Sequence, residues 1–198
     1  MDAGSQTLSC TLSWCMIALL KYPKYYKIIR DEVDSVVGCD RKVSLSDRKN
    51  MPQTLAFYHE LMRRCTLVKN SLTQTLEDGV VVNGYRLPKN TPIQSVTWAV
   101  HNDPKCFPDP DKFYPERFIN PEDGSFQKSK YWIPFSIGKR NCLGDQLAQV
   151  ELFILLVTLI QNFDISVKDG TMIPSLDDGI EGIVFSPSPL DLIMTDRE

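Results

Sequence analysis

Between His101 and Pro134 the chain cannot form a regular element, and this constrains its fold more than any other stretch. Pro104, Pro108, Pro110, Pro115 and Pro121 recur there with aromatic residues between them. Each proline removes an amide donor and fixes φ, so neither a helix nor a strand ladder can run through. A segment this aromatic is also a poor solvated linker. It is predicted to pack as an ordered meander against a core supplied by the rest of the chain.

The flanking segments supply that core. Met1–Leu20 reads as a helix, with Leu8, Leu12, Cys15, Ile17 and Leu19 near helical spacing. Pro23 opens a second helix to about Val37, carrying Lys27 and Asp31 one turn apart, and Gly38 ends it. Cys39–Asn50 is polar and reads as a loop or short helical turn. Pro52 starts a third helix with Leu55, Tyr58, Leu61 and Met62 facing inward, fraying between Arg64 and Leu67. Val80–Leu87 places two short runs around Asn83-Gly84, a hairpin signal, and Pro92–Trp98 reads as a strand. Leu147–Phe163 is apolar on most faces and predicts a buried helix, and the tail from Asp164 reads as small hairpins. The expected class is mainly α with small β-sheets (α+β).

Composition narrows the function. The 198 residues carry a net charge of -3, so no nucleic-acid partner is suggested. With only His59 and His101, a site of several histidines is nearly excluded. The six cysteines form no C-x-x-C pair, against zinc ribbons and iron–sulfur clusters. They read as reduced thiols of a cytosol-facing protein, five packing as small apolar residues and one doing chemistry. The N-terminus lacks the basic start and cleavage pattern of a signal peptide, and Leu152–Ile160 is too short to span a bilayer, so no spanning segment is expected.

The chemistry concentrates in Phe135-Ser136-Ile137-Gly138-Lys139-Arg140-Asn141-Cys142-Leu143-Gly144. Cys142 stands where a loop enters a helix, where free amides and the helix dipole favour a thiolate. Gly138 allows a turn with φ > 0, and Gly144 lets a bulky planar group lie against the backbone. Arg140 can meet an anion beside such a group, and Phe135 can shield the sulfur from water. An ordinary buried cysteine ahead of a helix would explain Cys142 alone, but not the whole set. A haem needs an axial thiolate, close backbone, a cation for a propionate and a dry pocket.

The segment resembles the haem-binding motif F-x-x-G-x-R-x-C-x-G of the cytochrome P450 family, matched at every fixed position. Other elements follow in family order. Glu60-Leu61-Met62-Arg63 resembles the family's E-x-x-R, and Tyr114-Pro115-Glu116-Arg117-Phe118 its P-E-R-F element. The resemblance implies a structural triad of Glu60, Arg63 and Arg117 that locks the meander beneath the haem. Ala3-Gly4-Ser5-Gln6-Thr7 resembles the A-G-x-(D/E)-T stretch of the distal helix, implying Ala3 at the haem and Thr7 and Gln6 in proton delivery to bound oxygen. Ser44–Arg48, Asn83–Tyr85 and His101–Pro104 look most like animal microsomal members, which include drug- and steroid-metabolising enzymes.

The resemblance implies haem b (iron protoporphyrin IX) on Cys142, and a monooxygenase acting on a lipophilic small molecule. Electrons would come from NADPH through a flavoprotein, NADPH–cytochrome reductase, docking near Lys128, Lys130, Lys139 and Arg140. Ala3, residues near Val68, Ile183 and Val184 would meet the substrate. The parent would lie on the cytosolic face of the endoplasmic reticulum membrane, held by an N-terminal anchor. Residues 1–198 would be the C-terminal portion of one such domain, from the distal helix to the C-terminus, with the N-terminal part and anchor absent.

Three departures matter. Gln6 stands at the acid position, and an amide cannot relay a proton as a carboxylate does. Leu8 replaces a common hydroxyl residue. Thr73 occupies a position where relatives carry a basic residue for a propionate, leaving Arg140 as the cation there; His101 would either compensate or be an ordinary capping or turn histidine. The competing readings are a shortened chain without activity, and a haem-thiolate isomerase or dehydratase.

Overall fold

The computed structural model describes residues 2–197. Its core is a cluster of four helices. These are α1 (Asp2–Lys21), α2 (Pro23–Val36), α3 (Pro52–Cys65) and α5 (Asp145–Asn162), with a short α4 (Thr97–His101) beside them. Helix α1 packs on α2, α3 and α5, and α2 packs on α3 and α5. Trp14, Leu19, Ile29, Phe57, Tyr58, Leu61, Leu152, Phe153 and Leu156 fill the space between them.

Four two-stranded antiparallel sheets decorate this cluster. The strands β1 (Asn70–Gln74) and β4 (Pro92–Val96) pair from Asn70↔Val96 to Gln74↔Pro92. Between them β2 (Val80–Val82) and β3 (Tyr85–Leu87) form the expected hairpin. Its turn residues Asn83 (φ 48) and Gly84 (φ 86) are both left-handed, which matches the strand twist. After α5, β5 (Phe163–Ser166) pairs with β8 (Ile193–Asp196), enclosing the small pair β6 (Gly179–Ile180) and β7 (Ser186–Pro187). The mainly α, α+β class is therefore observed.

Four expectations shift. The strand from Pro92 ends at Val96, and Thr97 and His101 are buried in the helical turn α4. Helix α3 stops sharply instead of fraying. Thr66 turns left-handed (φ 35), its amide donates to the Met62 carbonyl at 3.1 Å, and its hydroxyl donates to the Arg63 carbonyl at 2.6 Å. Only Cys15 and Cys65 are fully buried; Cys39 is exposed on the polar turn after α2, and Cys10 and Cys106 are half-buried. Finally, Ala3–Lys21 is long and apolar enough, by length and composition, to cross a bilayer. In this fold its apolar half, Trp14–Leu19, is enclosed in the core. The expected helix start at Met1 lies outside the described residues.

The meander packs as expected, with Phe107, Phe113, Phe118 and Trp132 buried. The polar turn before α3 is a 3-10 helix, Leu45–Asn50, closed by a capping box between Ser44 and Asp47.

Candidate cofactor site

The cysteine loop is held by its own backbone. Ser136 (φ 63) and Gly138 (φ 81) are both left-handed, and a short 3-10 turn, Gly138–Arg140, follows. Nothing lies within 4 Å of where a Gly138 Cβ would stand, so glycine is needed there for conformation and not for space. The Cys142 amide donates to the Phe135 carbonyl at 2.8 Å and closes the loop. The Ala148 amide then donates to the Gly144 carbonyl at 2.8 Å, opening α5 directly after the cysteine.

Cys142 is exposed. The sequence reading expects Phe135 to keep the sulfur dry. Instead the Phe135 ring packs on the core, edge-on to Trp132 with centroids 6.0 Å apart. Its carbonyl is the part that reaches Cys142. Beside Cys142 in the chain, Ile137, Leu143 and Leu147 turn apolar surface outward, and Lys139 and Arg140 are exposed. A Cβ at Gly144 would stand 3.9 Å from the sulfur, so any side chain there would cover one flank of it.

This donor set fits a haem. Among the described residues no three His, Cys, Asp or Glu side chains gather to hold a bare ion. A metal on Cys142 must bring most of its ligands with it, as porphyrin iron does. An accessible thiol flanked by a residue without Cβ and by outward apolar side chains suits a flat apolar macrocycle, with Arg140 available to one of its carboxylates.

Two buried histidines anchor the chain entering the loop. The Trp132 indole N–H donates to the His59 carbonyl at 2.9 Å, and the Ile133 amide donates to His101 Nε2 at 3.1 Å. Because His101 Nε2 accepts, Nδ1 carries the proton and donates to the Thr66 hydroxyl at 2.9 Å. Both ring nitrogens are committed, so His101 cannot supply the second propionate cation. Burial, with help from Arg63, pushes its pKa down to about 3. Burial likewise lowers His59 to about 3, with Nδ1 bonded to the Leu55 carbonyl at 2.7 Å.

The first turn of α5 is tied from elsewhere. Gln149 donates to the Asp145 carboxylate and accepts from Arg48 at 3.1 Å, and Arg48 also donates to the Tyr58 hydroxyl at 3.1 Å. Sequence reasoning gave Arg48 and Gln149 no such role. The capping box that fixes Arg48 in place was the available local signal.

Glu60, Arg63 and Arg117 come together as the resemblance implies. Arg63 donates to both oxygens of Glu60, at 2.8 and 2.9 Å, and both side chains are fully buried. Arg63 also donates to the carbonyls of His101 and Pro110, each at 2.7 Å. Arg117 Nε lies 3.1 Å from Glu60 Oε2, close enough for ion pairing though not aligned as a hydrogen bond. Its other nitrogens donate to meander carbonyls, including Pro108 at 3.0 Å. The Tyr114 amide donates to Glu60 at 2.9 Å. One carboxylate and two guanidinium groups thus hold the meander to α3.

The distal candidates lie on α1. Ala3 and Gln6 are exposed on the first turns of α1, and Thr7 is half-buried. The Thr7 hydroxyl donates to the Ala3 carbonyl at 2.7 Å, leaving its lone pairs to accept. A Cβ at Gly4 would meet nothing within 4 Å. Helices α1 and α5 pack directly, so both halves of the candidate site ride on adjoining helices. Thr73 sits in β1 opposite Ile93.

The family model for cytochrome P450 matches residues 1–194. The chain belongs to the cytochrome P450 family. It is similar to cytochrome P450 2U1 of Mus musculus, 35% identical over 195 residues, 98% of this chain and 36% of that protein. It is likewise similar to cytochrome P450 2C3 of Oryctolagus cuniculus, 42% identical over 162 residues, 82% of this chain and 33% of the relative. Cytochrome P450 2C28 of Mesocricetus auratus is 43% identical over 164 residues, again 82% of this chain and 33% of the relative. The chain therefore spans about a third of the length of these relatives. Membership of this family implies a haem cofactor.

Proposed function

We propose that this chain supplies the thiolate-bearing part of a haem-thiolate monooxygenase acting on a lipophilic small molecule. The observation that carries the reading is Cys142, exposed on a loop closed by the Phe135 carbonyl and leading directly into α5. Cys142 would ligate the iron, and Arg140 would meet a propionate. Phe135, Gly138 and Gly144 would shape the proximal side, with Ala3 on the distal one. When bound, haem held through a thiolate supplies reductive activation of dioxygen, one atom entering the substrate and the other leaving as water.

The chain's own residues then divide the remaining work. Thr7 offers hydroxyl lone pairs from α1 to a bound water while its proton points to the Ala3 carbonyl. Gln6, an amide, orients water without releasing a proton of its own. Lys128 and Lys130 lie over Trp132 and Tyr131, at 4.6 and 4.9 Å from the ring centres, on the segment entering the loop. With Lys139 and Arg140 they would form the basic face on which NADPH–cytochrome reductase docks. Val68, Ile183 and Val184 are the substrate-side contacts. The site of action is the endoplasmic reticulum membrane.

The test is the carbon monoxide difference spectrum of the reduced full-length protein. The native protein should give the red-shifted Soret band of a thiolate ligand, and Cys142→Ser should abolish it. Persistence of that band in the variant would overturn the assignment. Gln6 raises a second reading, a haem-thiolate isomerase or dehydratase that needs no external electrons, while Thr7 speaks against it. NADPH-dependent substrate oxidation in the presence of reductase decides between them. A full-length protein that binds no haem would leave the chain without catalytic activity.

A further inference from the structure

We propose that Trp14 is a positioning residue which, through Phe185 and Gly179, fixes the loop Glu181–Val184 and thereby sets which apolar ligands the site prefers. The inference rests on the reading that Ile183 and Val184 contact the substrate.

The loop is the tip between β6 and β7, whose register runs Gly179↔Pro187 and Ile180↔Ser186. Ile183 is 92% exposed there, while Phe185, two residues on, is 5% exposed. Phe185 is held on every available group. Its carbonyl accepts from the Trp14 indole N–H at 3.1 Å, and its amide donates to the Leu67 carbonyl at 2.7 Å. Its ring stacks on Trp14 with centroids 5.2 Å apart and planes 20° from parallel. The Lys69 ammonium lies 4.1 Å from the same ring centre and pairs with Glu181 at the far end of the loop. Cys10 on α1 reaches Ser186 at 3.3 Å.

Gly179 completes the clamp. A Cβ there would stand 2.4 Å from two ring carbons of Phe185 and 2.8 Å from the Ser186 carbonyl oxygen. No residue but glycine fits while Phe185 keeps its place. Helix α1, the connection from α3 to β1 and the C-terminal hairpin therefore meet at one residue. The exposed Ile183 is presented by a short loop pinned at both ends, so its position is set before any ligand arrives. Trp14 is fully buried and does not face a ligand at the loop tip; it acts through Phe185.

The test uses the full-length, haem-loaded protein and 1-alkylimidazoles of graded chain length. Their ring nitrogen ligates haem iron, and the alkyl tail samples the surrounding wall. Binding is read from the haem spectrum, and hydrogen exchange of the Phe185 amide is followed in parallel. Trp14→Phe, which keeps a ring but loses the N–H, should speed that exchange at least tenfold. It should also change the ratio of affinities for long and short tails by about threefold to tenfold. The carbonyl spectrum should not change. Ile183→Ala should alter the same ratio, and the two substitutions should combine less than additively. Trp14→Phe without effect, where Ile183→Ala has one, overturns the inference and leaves the substrate reading standing. Ile183→Ala without effect removes the loop's ligand contact, and both fall. Should Trp14→Phe fail to fold, Lys69→Met carries the same test: a changed ratio supports the clamp, and an unchanged one overturns it.

Discussion

At the scale of single residues, burial decides which changes are costly. Glu60 and Arg63 lie wholly inside, and each satisfies the other. Removing Arg63 strips the buried Glu60 carboxylate of its bidentate partner and leaves it only Arg117 Nε and the Tyr114 amide, so Arg63→Ala should destabilise the fold by about 3–5 kcal/mol, measured by denaturant unfolding. Gly138→Ala is a different kind of change. Space is open, but φ is 81, and a left-handed L-residue costs about 1–2 kcal/mol. That strain falls on the cysteine loop, so haem occupancy should drop in the variant more than secondary structure does, read by haem absorbance against circular dichroism. These residue roles were legible early because each sits in a short spaced motif. His101 was not. Its ring bonds to Thr66 and Ile133, 35 and 32 residues away, leave no trace in local spacing.

At the scale of elements, local preference succeeded where the element satisfies itself and failed where a distant group completes it. The β2–β3 turn needs only Asn83 and Gly84, and it forms as read. Helix α3 begins at Met51-Pro52 with no side-chain cap of its own. Glu32 of α2 supplies one, accepting from the Gln53 and Thr54 amides at 2.8 Å each and from the Thr54 hydroxyl at 2.6 Å. A cap from another helix has no sequence signature. Glu32→Ala should cost about 0.5–2 kcal/mol, the range for losing an N-cap, and the loss should appear as faster hydrogen exchange in the first turn of α3. The Pro92–Trp98 strand reading overran for a related reason. Thr97 and Trp98 favour strands by type, but burying Thr97 and His101 requires a helical turn.

At the scale of the molecule, the two buried histidines set the acid response. Each has its folded-state pKa depressed to about 3, against an ordinary value near 6.5. Protonation is therefore disfavoured in the fold. Their contribution is complete above pH 6.5 and is lost as pH falls from there toward 3. The slope is about 1.4 kcal/mol per pH unit for each histidine. Glu32, whose carboxyl burial raises, works in the opposite sense. Urea midpoints should hold from pH 7 to about 6.5 and then fall toward pH 5, and His59→Phe should flatten that fall by about half.

Among the described residues the β2–β3 hairpin pairs only with itself, and it turns Val81, Val82 and Tyr85 into water. Each of its strands keeps one row of amides and carbonyls without a ladder partner, beside greasy side chains. Such an edge recruits copies of itself. Concentrated preparations of this segment should therefore turn cloudy with time, and placing a lysine at position 81 should keep them clear in a light-scattering assay.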